Sequence, residues 1–317
     1  MDASLEQYVE MFAKLHVNHS GGHISPHKPV MLLAVLSLAD NGGMTENRIE
    51  YGTELLELFR EYFNVVASPN DRCTPLLPFF HLRSEAFWHH VPHAGQEQAC
   101  RVMSSPGSAI QMTSVIEYAR LDDELFLHLV DRTSREVLRQ AIIDQYFPNC
   151  REELLKLSQQ EVDIGAYREL FDSDTAKERI KESSRDGFDE HPRQAGFRRS
   201  VTQAYDYSCA ACGLRVILGE VVMVDAAHLI PFEKSHDDDP RNGMALCKNH
   251  HWAMDRLLIG PWPDGRWHVH RELDDRREGQ QDLLKLDGRD ILLPRKSRYH
   301  PREDALQWRM DKMKECA

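Results

Sequence analysis

Two ligand pairs constrain this chain more than any other feature. Cys209-x2-Cys212 is followed, after residues 213–246, by Cys247-x2-His250. Two such pairs suit a tetrahedral zinc ion, each biting one face of it and together clamping distant parts of the chain. His251 directly follows His250, which leaves the register of the fourth ligand open by one residue. Cys209, Cys212, Cys247 and His250 are taken as the set. The chain has seven cysteines, an odd count that argues against a disulfide framework.

The chain of 317 residues suggests two or three domains. Residues 1–150 read as one domain. "SLEQYVEMFAKLH", "SPHKPVMLLAVLSLADNGG", "TELLELFREYFNVV" and "REVLRQAIIDQYFP" are expected to be helices. In the second of these, Ser25 is the expected cap and Asn41-Gly42-Gly43 the stop. "PLLPFFHLRSEAFWHHVP" is aromatic, proline-flanked and short in period, which predicts strand-turn-strand. Residues 151–192 read as a helical, polar connector with a flexible joint at "SSRDGFDEHP". Residues 193–317 form the second domain. A basic helix runs into the Cys-x2-Cys turn, "LGEVVMVDAAHLIP" is a strand pair or one long strand, and "KSHDDDPRNG" is a loop. "MALCKNHHWAMDRLL" is expected to be helical, and "GPWPDGRWHVHREL" a hairpin.

Asp225 and His228 lie three residues apart in the strand "DAAHLIP", so regular alternation sends them to opposite faces. His228, Asn242 and His251 then follow one another on a strand, a loop and a helix. Together with "CAACG", "RNGMALCKNHHWAMD" and the downstream hairpin, over about residues 195–275, this pattern resembles the HNH endonuclease family. The resemblance implies a strand hairpin and one helix around a divalent metal. In that reading His228 is the general base, because a neutral imidazole takes a proton from water near pH 7. Asn242 orients the base or ties the loop to the helix, and His251 is a ligand of the catalytic metal. Asp255 stands one turn beyond His251 on the same face. The family places an acid directly before the base, where this chain has Ala227. Asp225, on the strand face of Ala227, is the substitute ligand. A carboxylate and an imidazole imply Mg²⁺ or Mn²⁺. Arg193, Arg198 and Arg199 suit phosphate contacts.

In the first domain "SPHKPVMLLAVL" and "PLLPFFHLRSEAFW", over about residues 5–150, resemble the sulfur-binding domain of phosphorothioate-dependent restriction endonucleases. The resemblance implies recognition of DNA in which sulfur replaces a nonbridging phosphate oxygen. Such a sulfur is large, soft and poorly hydrated, so a shallow apolar pocket favours it while basic groups hold the remaining charge. Pro78, Phe79, His81 and Arg83 supply both kinds of group, with His27, Lys28, Arg72 and Arg101 as further candidates.

The expected fold class is α+β, a mainly helical N-terminal domain with a short sheet and a C-terminal ββα-metal domain with a zinc knuckle. A formal charge of −12 argues against nonspecific coating of nucleic acid, but a local basic face decides DNA binding. No apolar run predicts a membrane span and "MDASLEQYVEMF" lacks the pattern of a signal peptide, so a cytoplasmic protein is expected. The expected activity is modification-dependent cleavage of double-stranded DNA, with structural Zn²⁺, catalytic Mg²⁺ or Mn²⁺, and a homodimer for cutting both strands. The alternatives are an HNH endonuclease for another modification, such as methylated cytosine, and a non-catalytic zinc-containing DNA-binding protein.

Overall fold

The computed structural model describes the backbone of residues 2–20, 23–172, 190–219, 221–274, 276 and 278–316. It divides into two units, Met1–Ala166 and Tyr167–Ala317. In the first, α1 (Ala3–Ala13), α2 (His27–Asp40) and α3 (Thr53–Val66) precede a short α4 (Leu76–His81). An antiparallel pair follows, β1 (Trp88–Pro92) and β2 (Ile116–Leu121), then α5 (Asp123–Val130) and α6 (Arg132–Tyr146). Every residue of α2 from Lys28 to Leu38 is buried, so this helix is the axis around which the unit packs.

Two local expectations fail here. Residues 75–84 form α4 and a 3-10 turn rather than a first strand, and only Trp88–Pro92 is extended. Pro75 at the cap and Pro78 in the first turn fall where a missing N–H costs nothing, so the prolines start a helix instead of bounding a strand. Ser25 does not cap α2. Pro26 holds that position without a side-chain bond, and the Ser25 hydroxyl lies 2.9 Å from His27 Nδ1.

Residues 151–172, expected within a connector, form one long helix, α7 (Arg151–Asp172). Leu154, Ser158 and Glu161 on it are buried. The Ser158 and Tyr62 hydroxyls are 2.9 Å apart, and Asn41 Nδ2 donates to Glu161 at 2.8 Å. Residues 183–189 of the expected joint lie outside the described residues.

The second unit begins with Tyr167 and α8 (Glu190–Ala204). Its centre is the antiparallel pair β3 (Val224–His228) and β4 (Gly243–Cys247), registered Val224 to Cys247 and His228 to Gly243. Then come α9 (Lys248–Asp255), the hairpin β5 (Ile259–Pro261) and β6 (Trp267–Val269), and α10 (Glu303–Cys316). "MALC" is therefore strand, not helix. Its residues favour a helix locally, but pairing with β3 buries all of β4 and prevails. No helix among the described residues is long and apolar enough to cross a membrane.

Gly243 admits α8 close to β4. A Cβ there would stand 2.6 Å from Val201 Cγ2 and 2.7 Å from Phe197 Cζ. Gly243→Ala is expected to destabilise the C-terminal unit by about 1–3 kcal/mol, the usual effect of overpacking. Denaturant titration measures it, and an unchanged midpoint would contradict the close approach.

Candidate functional site

The ligand atoms of Cys209, Cys212, Cys247 and His250 all lie within 4.8 Å of one another. His250 Nδ1 is 3.4 Å from Cys209 Sγ and 3.1 Å from Cys247 Sγ. His250 joins the cluster and His251 is not among its members. Gly213, at φ +72°, closes the turn after Cys212, and its N–H donates to the Cys209 carbonyl at 2.8 Å. Ala210 N–H donates to the Ala245 carbonyl at 2.8 Å, tying this turn to β4. Burial pushes the Cys209 and Cys247 thiols up, so a cation is what would hold them as thiolates. Three thiolates and an imidazole are the donor chemistry of a tetrahedral structural metal site.

A cavity of about 280 Å³ in the same unit is lined among others by Arg198, Asp225, His228, Asp238 and His251. The register of β3 runs unbroken from Val224 to His228. Ala227 is fully buried, whereas Asp225, Ala226 and His228 all line the one cavity. Asp225 and His228 thus border the same cavity. Lys248, itself largely exposed, pairs with the Asp225 carboxylate.

His228 stacks on Phe197 with ring centroids 4.0 Å apart and 8° between planes. Its Nε2 is 2.7 Å from Asp238 Oδ1, and its carbonyl accepts from Arg309 Nη2 of α10 at 2.8 Å. Burial, with the charge of Arg193 and the nearness of His251, lowers the His228 pKa to about 4. The ring is neutral at pH 7 and able to accept a proton. Asn242 is fully buried. Its Oδ1 accepts from Ile230 N–H at 2.9 Å, and its Nδ2 donates to the carbonyls of Ile230 and Asp237 at 3.0 and 2.9 Å. Asn242 thus ties the end of β3 to the loop before β4. His251 Nε2 stands 3.5 Å from Asp255 on the next turn. Arg198 is exposed at the cavity, while Arg199 is buried and so is removed from the surface where a phosphate contact was expected. Arg193 pairs with Asp238 and stacks over Phe232 at 3.9 Å.

Asp238 was missed. The only trace of it in the sequence is the run Asp237-Asp238-Asp239 between His228 and Asn242, which reads as a solvated loop. The fold instead buries Asp238 and Asp239 at 7% and 1% exposure.

In the N-terminal unit a cavity of about 480 Å³ gathers His27, Lys28, Pro78 and His81. His16, Asn18 and Leu77, which the sequence did not single out, and Ser25, expected only as a helix cap, complete much of its lining. Lys28 is buried and donates to Glu85 at 2.5 Å and Ser84 at 2.7 Å. Burial pushes the Glu85 carboxyl up, but bonds from Lys28 and His16 outweigh it and hold it below its usual range. The remaining candidates lie elsewhere. Phe79 is core, edge-on to Trp88 at 5.5 Å. Arg83 donates to the Met103 carbonyl at 2.6 Å and covers the Phe80 ring. Arg72 and Arg101 are exposed and outside the lining, although the Arg72 carbonyl accepts from His27 Nε2 at 2.8 Å.

Comparison with known proteins matches both units. A family model described as ScoMcrA-like, DNA sulfur-binding domain, matches residues 5–158, and one described as HNH endonuclease matches residues 209–260. The chain joins a DNA sulfur-binding domain to an HNH endonuclease domain. Among solved structures, the sulfur binding domain of SprMcrA complexed with phosphorothioated DNA is 18% identical, with a TM-score of 0.36, over 50% of this chain and 95% of that one. The modification dependent TagI restriction endonuclease is 16% identical, with a TM-score of 0.28, over 37% of each chain. The chain therefore spans little more than a third of that enzyme's length. No curated protein matches it.

Cys247→Ser, or a strong chelator, is expected to strip metal from the Cys3His cluster and lower the melting temperature of the HNH unit. Metal content by mass spectrometry and a thermal melt check this together. An unchanged melt after complete metal loss would show that the cluster does not support the fold.

Proposed function

We propose that this chain is a modification-dependent restriction endonuclease that binds phosphorothioated double-stranded DNA through its N-terminal cavity and hydrolyses phosphodiester bonds at its HNH centre. The observation that carries the reading is the cavity where His228, Asp225 and His251 converge, in the same unit as the Cys3His cluster. His228 is the general base, neutral at pH 7 because it is buried and lies near the Arg193 guanidinium. Asp225 and His251 are the residues that would hold a catalytic divalent metal, Mg²⁺ or Mn²⁺, a donor set of hard oxygen and imidazole. Lys248 is an exposed counter-ion, 71% accessible, that can leave Asp225 to it. Such a metal supplies charge neutralisation at the scissile phosphate. Arg198 at the rim receives a phosphate, and Zn²⁺ fills the Cys3His cluster.

In the N-terminal cavity Leu77 and Pro78 offer a soft apolar surface, and Lys28, His27 and His81 offer donors. That pairing suits sulfur on an anionic phosphate. One HNH centre serves one strand, so a double-strand break takes two copies of the chain, which we read as a homodimer.

Matched plasmids with and without phosphorothioate, incubated with Mg²⁺ or Mn²⁺ and with EDTA, test both halves. Cleavage is expected only of the sulfur-bearing plasmid and only without EDTA. His228→Ala is expected to lose about 10²–10⁴-fold in cleavage rate while keeping DNA binding. Leu77→Asp, at an exposed position, is expected to abolish the preference for sulfur by gel shift. Equal cleavage of both plasmids would remove the sulfur-reading role, and cleavage of methylated DNA alone would transfer it to another modification.

A further inference from the structure

Asp238 has no role in the chemistry described so far, yet the fold invests three arginines in the loop that carries it. Arg302 bonds Asp237 at 2.7 Å, Arg241 bonds Asp239 at 2.5 Å, and Arg193 pairs with Asp238 itself. The Tyr167 hydroxyl donates to the Asp238 carbonyl, and Asn242 holds the carbonyl before it. A buried carboxylate is tolerated only when paired and fully bonded, and this one is. Its Oδ2 faces Arg193 and its Oδ1 faces His228 Nε2 at 2.7 Å. With the guanidinium on one oxygen, the carboxylate is an acceptor on the other, so the proton of the short bond sits on Nε2.

We infer that Asp238 is a positioning residue for the HNH reaction, fixing His228 as the Nε2–H tautomer so that Nδ1 is the atom that accepts the proton. Phe197, stacked flat on the ring, blocks the rotation that would exchange the two nitrogens. Arg193 holds the other end of Asp238, which makes the sequence Arg193–Asp238–His228 a relay of position rather than of protons. This follows the logic of an aspartate-oriented histidine in hydrolytic triads, where loss of the carboxylate leaves the wrong tautomer. The inference rests on the nuclease reading for its kinetic part alone.

Two measurements on the full-length, metal-loaded protein test it. Nitrogen-15 NMR of histidine-labelled protein is expected to show His228 with its proton on Nε2, and Asp238→Asn is expected to lose that preference. A wild-type ring protonated on Nδ1 overturns the inference, whether or not the protein cuts DNA. In single-turnover cleavage, Asp238→Asn is expected to lower the rate about 10²–10⁴-fold with DNA affinity unchanged. In a His228→Ala background the same substitution is expected to cost nothing further. A loss that persists in that background, or that falls on affinity, means that Asp238 serves the fold and not the base. Should Asp238→Asn fail to fold, the wild-type tautomer decides alone. If no substrate is cleaved, the nuclease reading fails while the tautomer result still stands or falls by itself.

Discussion

The register of β3 against β4 is the constraint on which the C-terminal unit depends. It pairs His228 with Gly243 and Val224 with Cys247. One strand ends in the imidazole and the other starts beside Asn242 and ends in a metal-cluster thiol. A slip of one residue would turn His228 to the other face and carry Cys247 away from Cys209 and Cys212. Three neighbours guard the register. Ala210 donates to Ala245, Arg309 bridges the carbonyls of His228 and Met254, and α8 closes on Gly243. Arg309 is buried enough that its pKa falls to about 10, yet it remains a cation and a full donor at neutral pH.

Electrostatics in this unit are local. The chain carries a net charge of −12, but the carboxylates around the cavity are each matched by a cation. Asp237, Asp238 and Asp239 take Arg302, Arg193 and Arg241, and Asp225 takes Lys248. Burying one unpaired charge would cost several kcal/mol, so the acidic run and its arginines come as a set. A phosphate backbone approaching this face meets paired aspartates and an exposed Arg198, not the overall acidity of the chain.

The N-terminal cavity follows a different principle. Lys28 is neutralised from behind by Glu85, and Leu77 and Pro78 form an apolar surface next to it. An ordinary phosphate oxygen would have to give up strong hydration to sit on such a surface, whereas sulfur gives up little. Under the proposed function such a site would discriminate by softness, with Lys28 already ordered before DNA arrives.

The Cys3His cluster was legible in the sequence because its spacing is itself the chemistry. Cys-x2-Cys and Cys-x2-His bring ligands together over one turn, whatever lies between them. The same holds for helices α1, α3 and α6, whose apolar periods are local. The strand at 243–247 was not legible, because Met244, Ala245 and Leu246 become extended only by pairing with residues 224–228. Nor was α4, where the prolines mark a helix start instead of a strand edge. The sequence by itself determined the two domains' chemical character, the four members of the Cys3His cluster and the order His228, Asn242, His251. Only the tertiary structure decided that Asp225 shares a cavity with His228, that Phe79 and Arg199 turn inward, and that Asp238 faces His228. Those outcomes depend on contacts between residues far apart in the chain, such as Arg193 with Asp238, and no local pattern of side chains encodes them.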